Sequence, residues 1–135
     1  HHPRLRRQRQ MCIRDSYYKD ISNDLLKSTL NNLNKKHYSI KILKVPGVFE
    51  IPVTISRNIN KYNGFIALGC VIKGQTPHFD FISQSATDAI MKLSISSKKP
   101  IGNGIITCLN KKQAIARGKK GLEASEAVKV VLTNK

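Results

Sequence analysis

The sequence predicts an α/β fold built on a parallel sheet. Two observations carry the prediction. The runs Phe65–Ile72 and Pro100–Cys108 are short and apolar, as strands buried on both faces must be. Between them, apolar residues recur at helical spacing after capping residues, and strands alternating with helices are the pattern of crossover connections in a parallel sheet.

The elements follow in order. Residues 1–16 are arginine-rich, with Arg4, Arg6, Arg7, Arg9 and Arg14 against Asp15, and lack an apolar period. They are set apart as a tail or artefact, being short and holding one serine, which fits a transit peptide poorly. The domain is placed at residues 17–135. Ser22 reads as the cap of a helix reaching Lys36, with Ile21 packed before it and Leu25, Leu26, Leu30 and Leu33 along one face. Ile40–Val45 is a β-prone run closed by the Pro46-Gly47 turn, and Pro52 opens a helix reaching about Asn60. After the strand Phe65–Ile72 and a turn at Gly74, Thr76 is a cap and Pro77 the first residue of a helix running to Ser97. Its Phe81, Ile82, Ala86, Ala89, Ile90 and Leu93 share one side. Pro100–Cys108 is a further strand, followed by helices near 112–117 and 122–132.

Composition narrows the function. With 135 residues, 40% of them hydrophobic, the chain supplies one domain and one core. The longest apolar run, Phe65–Ile72, is far below the roughly 20 residues of a membrane helix, so no transmembrane or secretory segment is expected. Cys12, Cys70 and Cys108 have no metal-type spacing and cannot all pair, which fits a reducing, cytoplasmic setting and assigns them no chemistry. The net charge of +16 raises the possibility of a nucleic-acid binder. Beyond Arg14, however, the basic residues are scattered lysines joined by only Arg57 and Arg117, and aromatic residues make up 6%, so a solvated lysine-rich surface is the better reading.

Chemistry concentrates at Gly69–Asp80, GCVIKGQTPHFD. A strand feeding a glycine turn and a helix N-terminus gathers unpaired backbone N–H groups into an anion site. His78 stands there, able to exchange a proton near neutral pH beside a phosphate-sized pocket. In open α/β sheets ligands bind outside the carboxyl ends of strands, which here places the loops Pro46–Phe49, Lys73–Pro77 and Cys108–Lys111 together.

Together with VPGVFEIP (Val45–Pro52), the segment ALGCVIKGQTPHFD (Ala67–Asp80) resembles the lumazine synthase family. The resemblance continues through KPIGNGIITC (Lys99–Cys108), QAIAR (Gln113–Arg117) and KGLEASEA (Lys120–Ala127), and covers about Tyr17 to Leu132. It implies a three-layer α-β-α sandwich around a mostly parallel four-stranded sheet of flavodoxin-like topology. The family's first strand would precede Tyr17, where only Met11, Cys12 and Ile13 are available, so that strand is expected to be missing or degraded.

The implied activity is condensation of 5-amino-6-ribitylaminouracil with 3,4-dihydroxy-2-butanone 4-phosphate to 6,7-dimethyl-8-ribityllumazine, with no metal and no cofactor. Carried over by motif, His78 transfers protons and Arg117 binds the phosphate with Gly74, Gln75 and Thr76. Val48, Phe49 and Glu50 contact the ring, ribityl chain and pyrimidine edge, and Cys70, Val71 and Ile72 line the strand end along the pyrimidine. Tyr17 replaces a stacking aromatic, Lys120 matches a lysine at the pyrimidine end, and Asn103 stands where many members carry an aromatic from a neighbouring subunit. The loop Gly118–Gly121 is shorter than usual. The family's pentamers, some paired or closed into shells, imply sites shared between copies, and riboflavin synthase is a further implied partner. Two readings compete: a noncatalytic flavin- or lumazine-binding assembly protein, and a basic nucleic-acid-binding protein.

Overall fold

The computed structural model describes residues 8–74 and 78–133, and its centre is β3 (Gly64–Ile72), a strand whose nine residues are all buried. Such burial explains the unbroken apolar run, since both faces of a central parallel strand are covered. Ile66, Leu68, Cys70 and Ile72 enter one core, while Phe65, Ala67 and Val71 enter the other. The alternation follows from the two-residue period of a strand.

Strands β1 (Gln8–Asp15), β2 (Tyr38–Val45) and β4 (Ile101–Cys108) complete a parallel sheet in the order β2-β1-β3-β4. Helices α1 (Lys19–Asn32) and α5 (Lys120–Thr133) pack on one face, and their Leu25 and Val128 meet the first core. On the other face lie α2 (Ile51–Arg57) and α3 (Phe79–Ser97), which bring Ile51, Ile55, Ala86 and Ile90 to the second core. A short helix, α4 (Lys111–Ala116), follows β4. Three layers and a parallel four-stranded sheet agree with the expected architecture.

Four expectations are corrected. The first strand is present, not missing: β1 pairs with β2 along its length and with β3 over Gln10–Arg14. Its Met11, Cys12 and Ile13 are buried, so part of the segment set apart from the domain lies in the centre of the sheet. Three apolar residues between polar ends gave no readable period. The first helix begins at Lys19 with Tyr18 at its cap, so Ser22 is not the cap. Ser22 Oγ instead donates to the Tyr18 carbonyl at 3.1 Å, one turn back, and Asp20 supplies the acidic first turn. His78 precedes α3 as its cap rather than sitting in its first turn. Phe81, placed on one side with Ala86 and Ile90, is 66% exposed, because nine residues at about 100° each put it opposite the buried Ile90. The expected capping by Thr76 and the Pro77 start lie outside the described residues.

Candidate functional site

The strand order reverses between β1 and β3: one connection leaves β1 for β2, and the chain returns past β1 to β3. The crevice outside the carboxyl ends at such a switch point is where α/β sheets hold ligands. Here it is a cavity of about 280 Å3.

Its floor is the end of β3, where Cys70 and Val71 line it. One wall is the turn after β2. Pro46-Gly47 ends that strand, and the single 3-10 turn Val48–Glu50 presents Val48, Phe49 and Glu50 to the cavity. Val48 is buried and rests directly on β3: a Cβ at Gly69 would come within 2.7 Å of its Cγ2, so a side chain there would push this wall away. Phe49 is 58% exposed, an apolar ring left open at the mouth. Tyr17, 59% exposed, lies on the same rim and meets Tyr18 edge-on, with ring centres 4.8 Å apart.

His78 closes the cavity from the α3 side. Its backbone is left-handed, φ 57 and ψ 42, and its carbonyl accepts the Ile82 N–H at 2.9 Å, the first bond of the helix. A non-glycine residue in this region is uncommon, and histidine is among those that tolerate it. His78 is exposed and lines the cavity from this turn. Gly74, φ +82, makes the preceding turn in a conformation glycine adopts without strain.

Asp15, at the end of β1, also lines this cavity and was missed as a site residue because its segment had been set aside. Its Oδ2 accepts the Cys70 N–H at 3.2 Å. Burial pushes its carboxyl up to about 6, against the lowering effect of that hydrogen bond and of Arg14. Ile72 is fully buried in the core beneath α1 and α5 and does not line the cavity. Gln75 and Thr76 lie outside the described residues.

The other site residues sit elsewhere. Asn103, Arg117 and Lys120 line a second cavity, about 830 Å3, at the free edge of β4 beside α4 and α5. Arg117 follows the last residue of α4, which is capped by Asn110: its Oδ1 accepts the Gln113 N–H at 2.9 Å. Lys120 Nζ is 3.2 Å from the Glu123 carboxylate. Asn103 folds its side-chain oxygen back to accept the Ile105 N–H at 3.0 Å. One cavity thus offers an apolar slot with an imidazole, and the other offers cations. Within one chain, His78 and Arg117 do not line the same cavity.

No cluster of three or more His, Cys, Asp or Glu among the described residues could hold a metal ion. None of the helices is long and apolar enough to cross a membrane, again among the described residues.

Residues 8–134 match the family model described as 6,7-dimethyl-8-ribityllumazine synthase. Curated proteins of that name are similar to the chain. The one from Bartonella bacilliformis is 40% identical over 115 residues, 82% of this chain and 76% of that protein. That from Bartonella tribocorum is 38% identical over 125 residues, 87% of this chain and 83% of its own length. The Agrobacterium fabrum protein is 37% identical over 114 residues, 79% and 77% respectively.

Proposed function

The chain belongs to the 6,7-dimethyl-8-ribityllumazine synthase family of riboflavin biosynthesis, and from that premise we propose that its active site is assembled from the two cavities of neighbouring copies. The substrates are 5-amino-6-ribitylaminouracil and 3,4-dihydroxy-2-butanone 4-phosphate. The separation of His78 and Arg117 into two cavities of one chain carries this reading. A reaction that needs both a proton-transfer group and a phosphate ligand then needs two copies, with the β4 edge of one facing the switch-point crevice of the next. Such a head-to-tail contact closes into a ring, and a homopentamer is the assembly we propose. The exposed apolar side chains Phe81, Met91 and Ile95 along α3 support an assembled state.

The uracil ring lies in the apolar slot, against Val48 and the end of β3, with Tyr17 and Phe49 at its rim. Glu50 meets the polar pyrimidine edge. The phosphate of the second substrate sits between Gly74, Gln75 and Thr76 of one copy and Arg117 of the next, whose planar fork of donors suits phosphate oxygens. Lys120 and Asn103 complete the wall from that neighbour.

The amine of the uracil attacks the ketone, and loss of water gives an imine. Removal of the adjacent proton expels phosphate. Tautomerisation then restores a carbonyl, which the ribitylamino nitrogen attacks with loss of a second water. Each step moves a proton over a short distance. His78, exposed at the lining of the cavity, is the group that carries it. Orientation of the two substrates supplies much of the remaining acceleration. Three unpaired cysteines accord with a cytoplasmic enzyme.

Formation of lumazine by the purified chain, followed by absorbance and fluorescence and corrected for the slow uncatalysed reaction, tests this reading. Catalysis that is lost in His78→Ala supports it. A folded assembly without rate above background would instead make the chain a noncatalytic relative.

A further inference from the structure

A phosphate ligand on a long, flexible side chain has to be aimed. Arg117 is exposed at the end of α4, yet its guanidinium is held from behind by two acceptors. Nη1 donates to the Thr107 carbonyl at 2.8 Å and to Cys108 Sγ at 3.8 Å. Nη1 carries two hydrogens, so these contacts use it fully. No described hydrogen bond engages Nε or Nη2, which leaves one edge of the fork for a ligand.

The two acceptors differ in what they fix. The Thr107 carbonyl alone would anchor one atom and let the guanidinium plane turn about it. A second acceptor fixes the plane. Cys108 can serve because it does not move: it is the last residue of β4, 1% exposed, in the core beside Cys70 and Ala114. Its carbonyl accepts the Lys73 N–H at 2.9 Å, which ties it to the end of β3. Burial pushes the neighbouring Cys70 thiol up to about 12, so Cys108 packs beside a neutral thiol in this core.

We infer that Cys108 is a positioning residue, whose sulfur acts with the Thr107 carbonyl to turn the Nε–Nη2 edge of Arg117 toward the phosphate-bearing substrate. This rests on the reading of Arg117 as the phosphate ligand. A buried cysteine here is therefore more than a small core hydrophobe: replacing it by an equally small apolar residue preserves packing but removes the second acceptor.

The test compares Cys108→Val, Cys108→Ala and Cys108→Ser with Arg117→Ala. The readouts are the KM of each substrate, the inhibition constant of inorganic phosphate, the melting temperature and a crystal structure of Cys108→Val. Valine and alanine at position 108 are expected to weaken phosphate inhibition and raise the KM of the butanone phosphate by about three- to tenfold, with the KM of the uracil substrate unchanged. Serine, which restores an acceptor, should recover most of the loss, and the Arg117 side chain should turn in the valine variant. If Arg117→Ala weakens phosphate binding while valine and alanine do not, the inference fails and the role of Arg117 stands. If Arg117→Ala leaves phosphate inhibition unchanged, both fail. An Arg117 side chain that keeps its place in Cys108→Val also overturns the inference.

Discussion

His78 and Arg117 of one chain open into different cavities, His78 beside Val48 and Val71, Arg117 beside Asn103 and Lys120. If the active site needs both, two inactive variants should complement each other. His78→Ala and Arg117→Ala subunits, denatured together in equal amounts and refolded, are expected to regain activity. In a ring with random order, roughly a quarter of the interfaces join an intact His78 to an intact Arg117. Refolded mixtures no more active than either variant alone would rule out a shared site.

The two residues should also fail differently. His78→Ala is expected to lower kcat by roughly a hundredfold or more with little change in either KM, as for a proton-transfer group. Arg117→Ala should raise the KM of the butanone phosphate by roughly 10- to 100-fold, the worth of a charge-assisted pair of hydrogen bonds, and leave that of the uracil substrate near its starting value. Steady-state kinetics with each substrate varied in turn separates the two. A kcat effect confined to the arginine variant would exchange the roles.

Much of this was legible in the residues. Strands β2, β3 and β4 were found within a few residues of their ends, because β-prone runs closed by Pro46-Gly47 or the Gly74 turn leave little choice. The crevice was legible because ligands sit outside the carboxyl ends of strands, and Val48, Phe49, Glu50, Cys70, Val71 and His78, which the family resemblance implies, do line one cavity, whereas the loop Cys108–Lys111 expected beside them does not. Other features gave no signal. In β1, QRQMCIRD holds three apolar residues, and its place in the sheet comes from pairing on both sides rather than from pattern. Helix α3 carries apolar residues on its solvent face as well as its core face: Phe81 and Ile90, nine residues apart, lie on opposite sides, and the pattern alone does not say which side meets the sheet.

That solvent face leads to a test of assembly. Phe81, Met91 and Ile95 fall on one side of α3 and are 66%, 59% and 70% exposed. A charge in the middle of a contact between copies leaves an ion without water or partner. Ile95→Glu is therefore expected to yield a smaller species on a sizing column, with lumazine formation lost while circular dichroism is retained. An unchanged elution volume would remove this face from the interface.

Strand β1 carries a pH dependence. Burial raises the Asp15 carboxyl to about 6 in the folded chain, above its ordinary 3.8. A carboxyl whose folded pKa is raised binds its proton more tightly when folded. Its contribution is therefore complete below about pH 4 and is lost as pH rises through 6, a difference of about 3 kcal/mol. Asp15→Asn, which keeps an acceptor for the Cys70 N–H, should raise the melting temperature at pH 7 and give no gain at pH 4. Equal gains at both pH values would show that ionisation of Asp15 is not the cause.

Gln10 makes a second, pH-independent weakness in the same strand. It is fully buried, and neither Nε2 nor Oε1 has a hydrogen-bond partner. The amide is wedged between Gly64 and Val128: a Cβ at Gly64 would lie 2.8 Å from Gln10 Oε1 and 2.9 Å from Val128 Cγ1. Water is excluded there, so the amide forfeits its solvation and gains nothing in return. Leucine has a similar length and no polar atoms. Gln10→Leu is expected to stabilise the chain by about 1–3 kcal/mol, the cost of leaving buried polar groups unpaired. Denaturant unfolding at pH 7 measures it, and the gain should add to that of Asp15→Asn, since the two residues face different neighbours. A lower midpoint in Gln10→Leu would mean that the amide is satisfied in solution and that β1 is not the weak strand of the sheet.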